Sequence, residues 1–265
     1  MIKRLTFLLW MVAISCQEPI DYSLLSENVN TVAVEAVLTN ESIPQRVKLT
    51  LPYQRQNGLP IPATGALISI TDGSSLYLLT EKIAGSGEYF SQPFPAVSGR
   101  DYRLQIEYRG LTFDAIDRSV GVEPLPDIRY QSADDLNFEL TFNPSGDQAN
   151  YIVHQINWRH TPQCQANSFC EGLLVYYDLK TIDANEVFRP EKETFLFPIN
   201  TVVIRKKHSV SEGYRKYLRA ILSETEWRGG AFDVEPANAP TNLTSGAIGY
   251  FAVTSVLSDT IRVQE

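Results

Sequence analysis

Three cysteines and three histidines carry most of the covalent and acid–base chemistry open to this 265-residue chain. Cys164 and Cys170 lie in "CQANSFC", a C-x5-C spacing wider than the C-x2-C knuckle of a zinc ribbon, with no second cysteine pair nearby. In an oxidising compartment the expected product is a disulfide that closes a short loop between two strands. The alternative adds His160, four residues before Cys164, as a third metal ligand. His154 falls in the middle of "YIVHQINWR" and reads as a hydrogen-bonded or exposed strand residue. His208 follows Arg205, Lys206 and Lys207, a basic run expected in a solvated turn, or else in contact with an anion or lipid headgroup. The motifs of common reactions are missing from the sequence: no G-x-S-x-G elbow, no H-E-x-x-H, no phosphate loop, no dinucleotide fingerprint. Asp134 and Asp135 are adjacent, a poor arrangement for flanking a glycosidic bond. "TDG" (71–73) and "SGD" (145–147) hold too few oxygens for calcium and read as turns. The expectation is therefore no catalytic residue, no metal and no cofactor. Ligand contacts are not assignable from sequence beyond loop-tip aromatics such as Tyr53, Phe94, Trp227 and Phe232.

The remaining cysteine, Cys16, ends "MVAISC". Lys3 and Arg4 precede an apolar stretch, Leu5 to Ile14, which at roughly ten residues is half of the ~20 a membrane-spanning helix needs. That pattern is a leader peptide, and its small residues Ala13 and Ser15 stand just before the cysteine. The stretch resembles the bacterial lipobox, in which the chain is cut before a cysteine that carries lipid. The resemblance implies that Met1–Ser15 is removed and that Cys16 anchors the mature chain to a membrane. Gln17 at the next position, and the acids Glu18 and Asp21, point to the outer membrane, on its periplasmic face or at the cell surface.

The formal net charge of −8 argues against nucleic acid as a partner, since phosphate recognition needs a basic footprint. Thirteen tyrosines and twelve phenylalanines favour half-buried strands over helices. After a tether at 16–29, short β-branched segments recur from about 30 to 120, separated by turn residues. In "DYRLQIEYRG", Tyr102, Leu104, Ile106 and Tyr108 alternate with Arg103, Gln105, Glu107 and Arg109, the period of a half-buried antiparallel strand. This half reads as an immunoglobulin-like or prealbumin-like sandwich. "GVEPLPD" (121–127) breaks the pattern and marks a boundary. From 121 to 265 a second β-rich unit is expected, with one covering helix near 210–228. That helix would be capped by Ser209 with Glu212 and would bury Tyr214, Tyr217, Leu218, Ile221 and Leu222 on the second sheet. Gly229 is the expected end of the helix. "AIGYFAVTSVL" (247–257) is apolar on both faces, as a central strand would be. "NES" (40–42), "NLT" (242–244) and "DTI" (259–261) match glycosylation triplets.

Four segments together resemble one family: the lipobox with its acidic follow-on, "VAVEAVLTN", "GALISITDG", and above all "GYRKYLRAI…GGAFDVEPANAPTNLTSGAIGYFAVTSV". They are similar to the DUF4249 family, uncharacterised lipoproteins of Bacteroidetes, over roughly residues 16–258. Members are often encoded beside TonB-dependent outer-membrane receptors. The resemblance implies an envelope role linked to uptake; with the catalytic motifs missing, the expectation is a non-catalytic, lipid-anchored binding accessory to such a transporter. The competing expectation is a structural or adhesion module of the cell surface.

Overall fold

The computed structural model describes residues 31–53, 58–142, 146–165, 169–181, 195–227 and 238–264. Cys16, the leader and the tether lie outside them, as do Phe232 and Gly229. The described chain is mainly β, with one α-helix among the described residues.

The first unit is built from β1 (Val32–Thr39), β2 (Ile43–Leu51), β3 (Ile61–Pro62), β4 (Leu67–Thr71), β5 (Leu76–Glu81), β6 (Glu88–Phe94), β7 (Asp101–Tyr108) and β8 (Leu111–Arg118). The alternation in β7 is realised: its four apolar residues are buried, and Arg103, Gln105 and Glu107 are exposed. Tyr108 pairs with Leu111, so the hairpin turns on Arg109 and Gly110 alone, both at positive φ (51° and 77°). That is the two-residue primed turn whose twist matches the strands it joins. The β4–β5 turn is closed differently: Asp72 Oδ1 accepts from the amides of Ser74 and Ser75. Strands β1 to β8 wrap one apolar core that includes Leu38, Leu49, Ile70, Leu104 and Phe113.

The sheet is completed from the far end of the chain. β15 (Ala247–Thr254) pairs in parallel with β1 over its full length, Val32 opposite Ala247 through Thr39 opposite Thr254. Its run "FAVT" is buried throughout, which explains the absence of alternation in the sequence. On its other side β15 meets β8 through side chains instead of a ladder. Asn242 Oδ1 accepts from Phe251 N (3.1 Å), while its Nδ2 donates to Phe251 O (2.8 Å) and Ile116 O (3.0 Å). Asp117 Oδ2 accepts from Val253 N at 2.9 Å. These contacts bring the ends of the sheet together into a nearly closed, barrel-like sandwich. Removing the amide in Asn242→Ala leaves a strand N–H and two carbonyls without their partner. The expected cost is about 2–3 kcal/mol, read as a lower urea midpoint, with Asn242→Asp falling between because it keeps the acceptor alone.

One residue, Ser255, separates β15 from β16 (Val256–Arg262), which belongs to the second unit. There a four-stranded sheet runs β12 (Glu171–Asp178), β11 (Asn150–Asn157), β14 (Val202–Ser209), β16. A three-stranded sheet of β9 (Arg129–Ser132), β10 (Asn137–Thr141) and β13 (Phe197–Pro198) packs on it around Ile156, Phe197, Val203 and Val263. The units are therefore joined by a continuous β15–β16 ribbon as well as by the linker at 121–127. Asn40 fastens the joint, accepting from Val256 N at 2.7 Å, and Lys206 pairs with Glu41 at 2.7 Å. The side-chain amides of both glycosylation-triplet asparagines, Asn40 and Asn242, are thus engaged by backbone.

Helix α1 (Glu212–Glu224) is capped by Ser211, whose side chain accepts from Tyr214 N. The Ser209 cap read from sequence is corrected: Ser209 still belongs to β14, where its Oγ donates to Val120 O and accepts from Ser255 N, both at 2.8 Å. It pins the linker to the ribbon. The helix also covers more than the second sheet. Tyr214, Leu218 and Leu222 pack with Tyr250 and Ala252 of β15, with Val37 of β1, and with Tyr151 and Tyr177 of the second sheet. Tyr217 is half-buried against the same cluster, and Ile221 lies at its exposed margin.

Candidate functional site

The basic run 205–208 is the clearest departure from the sequence reading. It forms no turn; it is the body of β14, hydrogen-bonded to β11 on one side and β16 on the other. Alternation sends Val203, Arg205 and Lys207 to the inner face and Lys206 to the outer one. Arg205 is 5% and Lys207 1% exposed, so both charges need internal partners. The Arg205 guanidinium makes a bidentate pair with Asp259, Nε to Oδ1 at 2.9 Å and Nη2 to Oδ2, and donates through Nη1 to Pro126 O at 2.7 Å. Lys207 Nζ donates to Pro124 O at 3.1 Å, and burial pulls its pKa down. The proline-rich linker thus has a second job. It lies across the inner face of the sheet and supplies carbonyl acceptors to its buried cations.

Beside this contact lies a cavity of about 150 Å³. Its walls come from the linker and β9 (126–129), the end of β10 (Leu140, Thr141, Phe142), Ile152 and His154 of β11, Tyr176 of β12, and Arg205. Register explains the grouping: Ile152 pairs with Tyr176, and His154 pairs with Leu174 and Arg205, so all project from one face. Phe142 and Tyr176 stack at 4.9 Å with 10° between planes, and Phe142 meets the His154 ring edge-on at 5.0 Å. His154 is 3% exposed, and its Nδ1 has no hydrogen-bond partner among the described residues. Burial, then the Arg205 charge, lowers its pKa to about 4, so the imidazole is neutral at pH 7.

The other candidates are dispersed. His208 is buried, stacked on Tyr151 at 4.5 Å, with Nδ1 3.3 Å from Thr254 Oγ1. His160 is exposed, with Nε2 3.0 Å from Asn200 O. Cys164 and Cys170 form a disulfide, Cα–Cα 5.7 Å, as read from the sequence. Among the described residues no group of three or more His, Cys, Asp and Glu is placed to hold a metal. Asp134 closes its own turn, accepting from the amides of Leu136 and Asn137. Of the loop-tip aromatics, Tyr53 is half-exposed, while Phe94 and Trp227 are core residues. Phe94 stacks on Tyr77 at 3.7 Å, and Trp227 is buried against the helix. Sequence reasoning missed Phe142, Tyr176 and Arg205 as one group. The available signal was the β-branched "TVVI" running straight into the basic residues with no turn former between them.

These features define a mainly β protein of two interlocked units, with a small cavity lined by aromatic rings and an imidazole in the second. The chain belongs to the family described as Domain of unknown function (DUF4249), whose model matches residues 17–260. No curated protein matches it. Among solved structures, that of the Yersinia pseudotuberculosis adhesin InvE is similar at 12% identity and a TM-score of 0.20, over 68% of this chain and 55% of that one. The chain thus spans little more than half of that adhesin's length, and a likeness so shallow carries no argument.

Proposed function

We propose that the protein is a lipid-anchored component of the outer envelope that works by binding, as an accessory to a TonB-dependent outer-membrane transporter. The anchor rests on "MVAISC", the lipobox-like end of the apolar leader stretch. The transporter partner rests on the family resemblance. The observation that carries the binding role is the cavity. Arg205 is held in place by Asp259 and Pro126, and the stacked Phe142 and Tyr176 rings stand beside it in the wall. Cys16→Ala is expected to release the protein from membranes into the soluble fraction, and globomycin is expected to cause accumulation of the uncut precursor. Affinity purification from detergent-solubilised envelopes should bring down an outer-membrane receptor. A Cys16→Ala protein that stays membrane-bound defeats the anchor, and the absence of any receptor defeats the accessory role.

A second reading is a structural or adhesion module. It is favoured by Leu67, Leu76 and Leu78, each about two-thirds exposed on the outer face of β4 and β5. Such side chains suit a protein partner better than a small ligand.

A further inference from the structure

We infer that the free edge of β5 is a self-association surface, on which a second copy of this chain adds its own β5 in antiparallel pairing to give a two-fold dimer. The inference goes beyond the readings above and rests on neither the anchor nor the receptor partner. It starts from an incomplete ladder. On one side β5 is paired with β4 from Leu76 to Leu79. On the other, β6 pairs with it only at Thr80 and Glu81, opposite Phe90 and Tyr89, and then runs on beside β2. Among the described residues no strand pairs with Leu76–Leu79 on that side. Successive strand residues turn their amide and carbonyl to opposite sides, so half of this stretch offers backbone donors and acceptors outward.

An edge that stays solitary is blunted by charge, proline or a bulge. The end strands of the other two sheets obey that rule. β12 carries Glu171 and Asp178, β16 carries Asp259 and Arg262, β9 carries Arg129, and β13 holds Pro198. The edge of β5 does not: from Ser74 to Thr80 there is no charged residue and no proline. Its outer face presents Leu76 and Leu78, 65% and 67% exposed, beside the uncharged Ser69 and Thr71 of β4. Symmetry names the occupant. Opposed residues of an antiparallel pair share a face, so a two-fold axis must pass through a residue. Centred on Tyr77, it sets Leu76 opposite Leu78 of the second copy and Leu78 opposite its Leu76. Centred on Leu78, it would set Leu76 against Thr80, which Phe90 already holds. The Tyr77 register thus joins four exposed leucines on one face, while each Tyr77 stays stacked on its own Phe94 at 3.7 Å. Copies that each carry a net charge of −8 can meet only where the contact is free of like charge, and this edge is.

The test is sedimentation equilibrium of the purified full-length chain carrying Cys16→Ala, which keeps lipid and any Cys16 disulfide out of the result. A seam this short is smaller than a permanent interface, so a concentration-dependent dimer with a Kd on the order of 100 μM is expected. Leu78→Lys sets an ammonium against Leu76 of the second copy, twice per dimer, and should weaken association by at least about tenfold. Ile83→Lys, at a residue 72% exposed in the turn beyond the free edge, should leave it unchanged. Crosslinking reads the register. With an added oxidant, a mixture of Leu76→Cys and Leu78→Cys chains should form an intermolecular disulfide. Either variant alone should not, because like positions are offset by two residues, beyond the ~7 Å Cα reach of a disulfide. Three results overturn the proposal: a monomer at about 500 μM, several times the expected Kd; a dimer that Leu78→Lys weakens no more than Ile83→Lys does; or crosslinks between like positions. A monomer leaves the edge to a strand of another protein. A receptor that does not co-purify leaves the dimer standing, and a monomer leaves the anchor and the receptor partner standing.

Discussion

Gly249→Ala should cost the protein at least about 3 kcal/mol and lower its melting temperature by roughly 10 °C, measured by thermal unfolding. Gly249 sits within β15 at φ +96°, a conformation that side chains resist. The closer constraint is its neighbour. A Cβ at this position would lie 2.0 Å from the Val34 carbonyl oxygen and 3.0 Å from its carbon. Those are backbone atoms of β1, which is locked between β15 and β2 and has no room to retreat. Gly99→Ala is the matched control. It shares a positive φ of +83° but has nothing within 4 Å of the new Cβ. It should cost only the backbone term, about 1–2 kcal/mol, and the difference between the two variants isolates the close approach of β15 to β1. If the two variants lose equal stability, the parallel pairing of β1 with β15 is not as described.

Acidification should destabilise the protein well before its carboxylates titrate. His154 and His208 are both buried, and desolvation lowers each pKa from 6.5 to about 4. Below pH 6.5 the unfolded chain takes up two protons that the folded chain refuses, so stability falls as pH falls. The contribution is fully present above pH 6.5 and is exhausted near pH 4, where the folded form also protonates. Between pH 7 and pH 5 the two histidines together should remove about 3–4 kcal/mol, read from urea midpoints at each pH. Asp117 works in the opposite sense. Burial raises its pKa, so the folded chain accepts that proton earlier than the unfolded one and recovers part of the loss as pH approaches 4. Asp72, held down to about 2 mainly by the Ser75 amide, adds a further loss only below about pH 4. His208→Phe keeps the stack on Tyr151 and should reduce the slope between pH 6.5 and 4 by about half. A flat stability profile across that window would mean that neither ring is buried in solution.

Local pattern made much of this molecule legible. The alternation of β7 and the Cys164–Cys170 loop each depend on residues close in sequence, and each is found where the spacing places it. What pattern could not show depends on partners far away. β15 reads correctly as a central strand, yet nothing near residue 247 says that its neighbour is Val32. The run Arg205-Lys206-Lys207 argues for solvent because a buried cation needs acceptors. The acceptors, Asp259 and the carbonyls of Pro124 and Pro126, come from segments more than 50 residues away on either side. The helix cap moved by two residues, from Ser209 to Ser211, because the ribbon and linker claimed the first serine. The cavity was invisible for the same reason: Phe142, His154, Tyr176 and Arg205 are gathered by strand register, which a single sequence does not print.

The placement of β15 also sets the order in which the protein can become itself. Strand β1 must wait for residues 247–254 before its outer edge is paired, so the first unit to leave the ribosome is among the last to be finished. Contacts of such long separation form slowly. A chain whose opening strand lacks its partner until the closing strands arrive stays pliable while it is being made, and it hardens only once the whole of it is present.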